Sequence, residues 1–200
     1  MKINLSNILK SKKVISKAPT RVDLGGGIDH RLISLICNSE HLETFNIALQ
    51  LYTKVELTSY KKGVLVYSKE LGQQELNLYK PRFTDKFGLI SAIVQYFDIT
   101  GVKIHITNDY PIQSGLGGSG SLAVALINAI VHILNLQSDK VTYYKKDIVW
   151  LAHSIEDSLF KNTGMQDQAV ACFGGINVWR WKYGNHNELY SQIPIKNHKN

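Results

Sequence analysis

Cysteine, proline and methionine are all scarce in this sequence, at two, four and two residues in 200. Cys37 and Cys172 stand far apart, with no CxxC pair and no Cys/His spacing that fits a metal. That excludes a disulfide framework and a zinc module, and both thiols read as buried or incidental in a reducing compartment. The four prolines and fifteen glycines are not gathered into a linker, and no repeat is visible. The most apolar stretch, 122–136, is interrupted by Asn128 and His132 and reads as too short to span a bilayer. The N-terminus, MKINLSNILKSKKVISK, lacks a long apolar run and a small-residue cleavage site, so the expected location is cytoplasmic, with no membrane partner. Acidic residues are the scarcer charge, 16 against 23 Lys plus Arg, and the net charge of +7 favours an anionic partner.

What is present is a globular balance, 44% hydrophobic and 20% charged, in a length that suits one domain. Segments 14–17 and 21–24 read as strands around Ala18-Pro19. Phe45, Ile47, Leu49 and Leu51 alternate with polar or small residues, and Val55 and Leu57 continue after an even step. A turn at 60–63 leads into 64–67, which together suggest a meander of mostly antiparallel strands. From Asp85 the period changes. Phe87, Ile90, Ile93, Val94 and Phe97 mark an amphipathic helix ended by Gly101, and Val102, Ile104 and Ile106 mark a strand. A loop over 108–120 precedes the apolar helix 122–136, and a second helix covers about 142–160. Gly174-Gly175 introduces a strand at 176–181, and 189–195 suggests another. Trp150, Trp179 and Trp181 read as core or interface residues.

The strongest chemical signal is PIQSGLGGSGS, residues 111–121, set between a strand and a buried helix. Four glycines in six positions let backbone amides approach a ligand closely. The helix that follows turns its N-terminal amides and positive dipole end to the same place, which suits a phosphate. No Gly-Lys-Ser/Thr tripeptide exists, which excludes a Walker A loop. Gly115, Gly117 and Gly120 do spell GxGxxG, but residues 108–114 separate them from the strand and the next element is a second helix, unlike a dinucleotide fold.

The same segment resembles the PxxxGLGSSAS loop of the GHMP kinases, the superfamily of galactokinase, homoserine kinase, mevalonate kinase and phosphomevalonate kinase. Two small residues of that pattern are replaced by Gly118 and Gly120. Upstream, KAPTRVDLGGGIDH (17–30) looks like the first family motif, and downstream AHSIEDSLFKNTGMQDQAVACFGGINVW (152–179) resembles the sugar-kinase branch, which includes heptose 7-phosphate kinases and fucokinases. The resemblance implies an α/β (α+β) fold of the ribosomal S5 domain 2 type: a mixed, mostly antiparallel sheet with helices on one face. It also implies a domain over 14–185, an N-terminal extension at 1–13, and at 186–200 the start of a missing C-terminal half.

Phosphoryl transfer needs a metal to neutralise charge, a cradle for the phosphates, and a group that orients or deprotonates the acceptor hydroxyl. By resemblance, Gly115, Leu116, Gly117, Gly118, Ser119, Gly120 and Ser121 bind the ATP phosphates, and Ser119 with Glu156 holds Mg²⁺. Asp167 is matched to the residue that takes the acceptor proton, although its place also suits a helix N-cap for 168–173. Arg21 supports that Asp and the transferring group, and Gly26, Gly27 and Asp29 face the substrate. Arg21 to Asp29 is eight positions, one fewer than in the family pattern. The implied activity is an ATP- and Mg²⁺-dependent kinase acting on a hydroxyl of a sugar or sugar phosphate. The alternatives are a non-catalytic ATP-binding half that needs a partner C-terminal half or a homodimer, and, more remotely, a basic RNA-binding module. Lys10, Lys12, Lys13 and Lys17 lack the interleaved aromatics of a nucleic-acid platform, so nucleic acid is not the expected partner.

Overall fold

A computed structural model describes residues 2–24, 42–137, 143–161, 163–182 and 190–195. The elements in chain order are β1 (Ile3–Asn4), α1 (Ser6–Leu9), β2 (Val14–Leu24), β3 (Leu42–Ser59), β4 (Val64–Ser68) and β5 (Gly72–Glu75). Then come α2 (Gly88–Phe97), β6 (Ile99–Thr100), β7 (Val102–Asn108), α3 (Gly118–Gln137), α4 (Lys145–Phe160), α5 (Gln166–Phe173), β8 (Ile176–Trp181) and β9 (Tyr190–Pro194). The main sheet has seven strands, ordered β5-β4-β7-β3-β8-β9 with β2 also on β3, and β4–β7 is its one parallel pair. The mixed, mostly antiparallel sheet expected from the sequence is therefore what forms.

The expected meander is not. β3 and β4 are joined by a short turn, yet β7 lies between them. The turn carries the chain across one strand position, and the N–H of Gly101 closes it by donating to the carbonyl of Gly63 at 2.7 Å. Gly101 does not end α2 as its position suggested. Asp98, at φ 48°, caps that helix. Gly101 is instead where the N-terminus packs, since a side chain there would stand 2.1 Å from Asn4. Residues 3–9 accordingly pack against the fold. β1 pairs β6, Leu5 and Leu9 are buried in the main core, and each contributes roughly 1.5–3 kcal/mol.

β3 is the spine. One side carries β2 along most of its length, and the other carries β7 on 53–59 and β8 on 42–47. The β2–β3 register breaks between Pro19 and Arg21. Across that break the buried face of β3 passes from Val55, Leu57 and Thr53 to Asn46 and Thr44. Phe45 and Ile47, read from the sequence as inward, therefore point to the opposite face, because a bulge changes which alternate residues face the core. α3 fills the core, with Ala123, Val124, Leu126, Ile127, Ile130 and Ile133 fully buried. The sequence reading began this helix at 122. The structure adds Gly118 to Ser121 as its first turn, making it long and apolar enough to cross a membrane, although here it is mostly buried inside the fold. Trp179 and Trp181 stack against each other in a second cluster, with their ring N–H groups donating to Asn46 and Thr44, while Trp150 is exposed.

Candidate active site

The sheet parts at the middle of β3. β7 ends opposite Thr53 and β8 begins opposite Ile47; between them, among the described residues, Ala48 and Tyr52 pair with β2 alone. The glycine-rich loop and the first turns of α3 and α5 converge there. The loop is anchored at its start, where Tyr52 N–H donates to Asp109 Oδ2 at 3.1 Å and the hydroxyls of Thr53 and Tyr110 share a short hydrogen bond. It is anchored again on β2, where Arg21 N–H donates to the Leu116 carbonyl at 3.1 Å and Ser121 Oγ donates to the Pro19 carbonyl at 2.7 Å. Ser121 is thus placed inside the fold with its hydroxyl engaged, 1% exposed, while Gly117, Gly118 and Ser119 stand at the open start of α3.

Glycine is required at two of these positions for close approach. A side chain on Gly117, at φ +73°, would meet the Asp167 carboxylate at 3.1 Å and Arg21 Nε at 3.3 Å. On Gly120 it would stand 2.7 Å from Asp167 Cβ. Gly115 has a similar φ, +75°, but open space around it. Gly115→Ala is therefore expected to cost about 1 kcal/mol of backbone strain with little effect on nucleotide affinity. Gly117→Ala adds a clash with the Arg21–Asp167 pair and is expected to weaken binding of an ATP analogue at least about tenfold. Titration calorimetry on both variants checks this, and equal affinities would remove the packing explanation.

Two charged groups lie beneath the loop. On α4, Glu156 is only 6% exposed. It accepts hydrogen bonds from the hydroxyl of Ser119 and, at short range, from Gln168 Nε2. Burial pushes its carboxyl above the usual range, the Ser119 hydroxyl opposes that, and the nearby charge of Asp167 adds to it. On β2, Arg21 links the loop to α5: Nη1 donates to the Gly115 carbonyl at 2.7 Å, and both Nε and Nη2 reach Asp167 Oδ1 at 2.8 Å. The other oxygen of Asp167, Oδ2, lies on the Gly117 side. Asp167 sits in the first turn of α5, whose N-cap is Met165. The capping alternative thus gives way to a carboxylate held near a positive helix end.

The structure brings together Arg21, Gly115 to Gly120, Glu156 and Asp167. Gly26, Gly27 and Asp29 lie outside the described residues. Three participants were not singled out from the sequence. Asp23 Oδ2 forms an ion pair with Arg21 Nε at 2.8 Å, Asn46 lies beside Asp23, and Gln168 holds Glu156. Asp23 and Gln168 stand within the two quoted motifs, which was the available signal. A cleft of about 260 Å³ next to Ser119, lined by Leu71, Phe87, Ile90, Tyr110, Ile112 and Phe160 among others, had no such signal because distant segments build it. Cys172 is no nucleophile. Burial pushes its thiol up to about 11.

Residues 83–175, which hold much of the cleft lining, the loop, Glu156 and Asp167, match the GHMP kinases N terminal domain family. That segment is similar to the N-terminal domain of the GHMP kinases. It is similar to the D-glycero-alpha-D-manno-heptose 7-phosphate kinase of Campylobacter jejuni, with 28% identity over 93% of this chain and 56% of that protein. It also resembles the solved D-glycero-D-manno-heptose 1-phosphate kinase of Bacteroides thetaiotaomicron, at TM-score 0.73 and 26% identity over 92% of this chain and 60% of that one. A mevalonate kinase of Pyrococcus horikoshii is 24% identical over 92% of the chain and 56% of its own length. The chain spans about half the length of the curated relatives it matches over most of its own length.

Proposed function

We propose that this domain is the nucleotide-binding part of an ATP- and Mg²⁺-dependent kinase that phosphorylates a hydroxyl of a sugar or sugar phosphate. The observation that carries the reading is Ser119 bonded to a buried Glu156 beside an Arg21–Asp167 pair, all at the start of α3. In this reading the base of ATP occupies the apolar cleft, and its phosphates lie over the amides of Gly117 to Ser119. Ser119 and Glu156 fit Mg²⁺, because a carboxylate buried without a cation is unfavourable and Mg²⁺ takes few protein oxygens. When bound, Mg²⁺ supplies charge neutralisation on the phosphates. Arg21 steadies the negative charge on the transferring group, and Asp167 Oδ2 accepts the proton of the acceptor hydroxyl. A sugar is favoured by the Gly164-Met165-Gln166-Asp167-Gln168 segment and by the named acceptors of the heptose kinases.

The length relation favours a second reading, an ATP-binding half that transfers phosphate only with a partner C-terminal half or a second copy. One experiment separates them. The chain is melted with a non-hydrolysable ATP analogue, with and without Mg²⁺, and ADP release is then followed over a panel of sugars and sugar phosphates. Mg²⁺-dependent stabilisation with ADP release supports the enzyme. Stabilisation without release, restored by adding a separate C-terminal half, supports the second reading. No stabilisation of the folded chain rejects both.

A further inference from the structure

Asp23 has no task in the kinase reading, yet its carboxylate lies 2.8 Å from Arg21 Nε. It follows Arg21 by two positions on β2, so both side chains share the face turned to α5. Its side chain is 7% exposed, against 14% for Arg21 and 21% for Asp167. Oδ1 is buried without a hydrogen-bond partner. Burying an incompletely satisfied carboxylate is unfavourable, and its cross-strand row continues into the neutral Asn46 and Asn177. Sheet formation therefore gives no reason for a charge at this position.

The geometry around Arg21 does. A guanidinium facing a single carboxylate favours the two-pronged pair, with each N–H on a different oxygen. Here Nε and Nη2 converge on one oxygen of Asp167, Oδ1, both at 2.8 Å. Asp23 Oδ2 also stands 2.8 Å from Nε as an ion pair, and Nη1 is held by the Gly115 carbonyl at 2.7 Å. With the cation held on both flanks, Asp167 Oδ2 stays outside the fork, on the side of Gly117.

We propose that Asp23 is a positioning residue of the phosphoryl-transfer centre. By pairing its Oδ2 electrostatically with Arg21 Nε it opposes the two-pronged Arg21–Asp167 pair and keeps Asp167 Oδ2 free for the acceptor hydroxyl. The purpose rests on the kinase reading, whereas the mechanics rest only on the contacts of β2, the loop and α5.

The test uses the full chain with Asp23→Ala, which removes the competing acceptor, and Asp23→Asn, which keeps an oxygen for Nε. The ¹⁵N resonance of Arg21 Nε, assigned by its loss in Arg21→Lys, reports the contact without requiring turnover. Asp23→Ala is expected to move that resonance and Asp23→Asn to move it less. In parallel, Asp23→Ala is expected to lower kcat at least about tenfold with KM for ATP held within about twofold, and Asp23→Asn to restore most of the loss. A packing role alone would lower the melting temperature and leave kcat in place. An unmoved Arg21 resonance in Asp23→Ala, or an unchanged kcat, overturns the proposal. If the wild type alone shows no turnover, kcat is read with the separate C-terminal half added; no turnover there either ends the kinase reading by itself, and the resonance still decides the contact. Should the alanine variant not fold, Asp23→Ser, which removes the carboxylate and keeps a small polar side chain, is judged by the same two readouts with the alanine variant's expected outcome.

Discussion

Glu156→Gln is expected to raise the melting temperature of the ligand-free chain and to abolish the extra stabilisation that Mg²⁺ gives with an ATP analogue. The first effect follows from burial. Desolvation is the largest influence on this carboxyl and holds it above its ordinary 4.5, so the folded state binds the proton more tightly than the unfolded chain. Stability is then highest below pH 4.5 and falls as pH rises through the displaced value, by about 1.4 kcal/mol for each unit of displacement. A glutamine of the same shape does not ionise. It still accepts from Gln168 Nε2, and its own amide can donate to Gln168 Oε1, which is buried without a partner. The gap between variant and wild type should therefore widen from pH 4.5 towards 7. The second effect has the opposite sign and a comparable size. An analogue at a hundred times its Kd stabilises by about 2.7 kcal/mol, and the Mg²⁺-dependent part of that requires the carboxylate. Fluorimetric melts at two pH values, with and without Mg²⁺, separate the effects. An equal Mg²⁺-dependent rise in the variant would remove Glu156 from the metal site.

The sequence disclosed this site unevenly, for physical reasons. The glycine-rich loop was legible because close backbone approach leaves a composition trace: Gly117 and Gly120 are where a side chain would strike Asp167 or Arg21. Helices α2, α3 and α4 were legible because each buries one long periodic face, although their ends shifted where Asp98 and the Gly-Ser-Gly-Ser turn act as boundaries. The strands were legible, but their order was not. Nothing local in residues 60–63 reveals that β7 will insert between β3 and β4, since that pairing is made by residues about forty positions apart. The bulge at Pro19 and Arg21 is similarly non-local, and it determines both the outward turn of Phe45 and Ile47 and the helix-facing placement of Arg21 and Asp23. Ser121 matches the motif, and its hydroxyl donates to the Pro19 carbonyl, a partner the sequence did not show. Type and spacing indicate which residues gather, and the tertiary contacts assign their tasks.

Asp167→Asn is expected to lower turnover about a hundredfold or more while leaving affinity for the ATP analogue within a few-fold. Asparagine still offers Arg21 an oxygen, so the link between β2 and α5 persists, but its amide cannot take a proton from the acceptor hydroxyl. Stability should move the other way. The charge of Asp167 is among the causes that raise the carboxyls of both Asp23 and Glu156. Removing it relieves two repulsions and leaves Arg21 paired with Asp23 at 2.8 Å. The variant should thus melt at or above the wild-type temperature near pH 7, with the gain shrinking as pH falls and the raised carboxyls of Asp23 and Glu156 protonate. A functional carboxylate held at a cost in stability has this signature: activity falls as stability is kept or rises. The measurements are ADP release with a sugar-phosphate acceptor and melts across pH. Full turnover in Asp167→Asn would end its assignment as the base. A melting temperature far below wild type would instead mark Asp167 as a structural tie for Arg21, and the proton acceptor would have to be sought elsewhere.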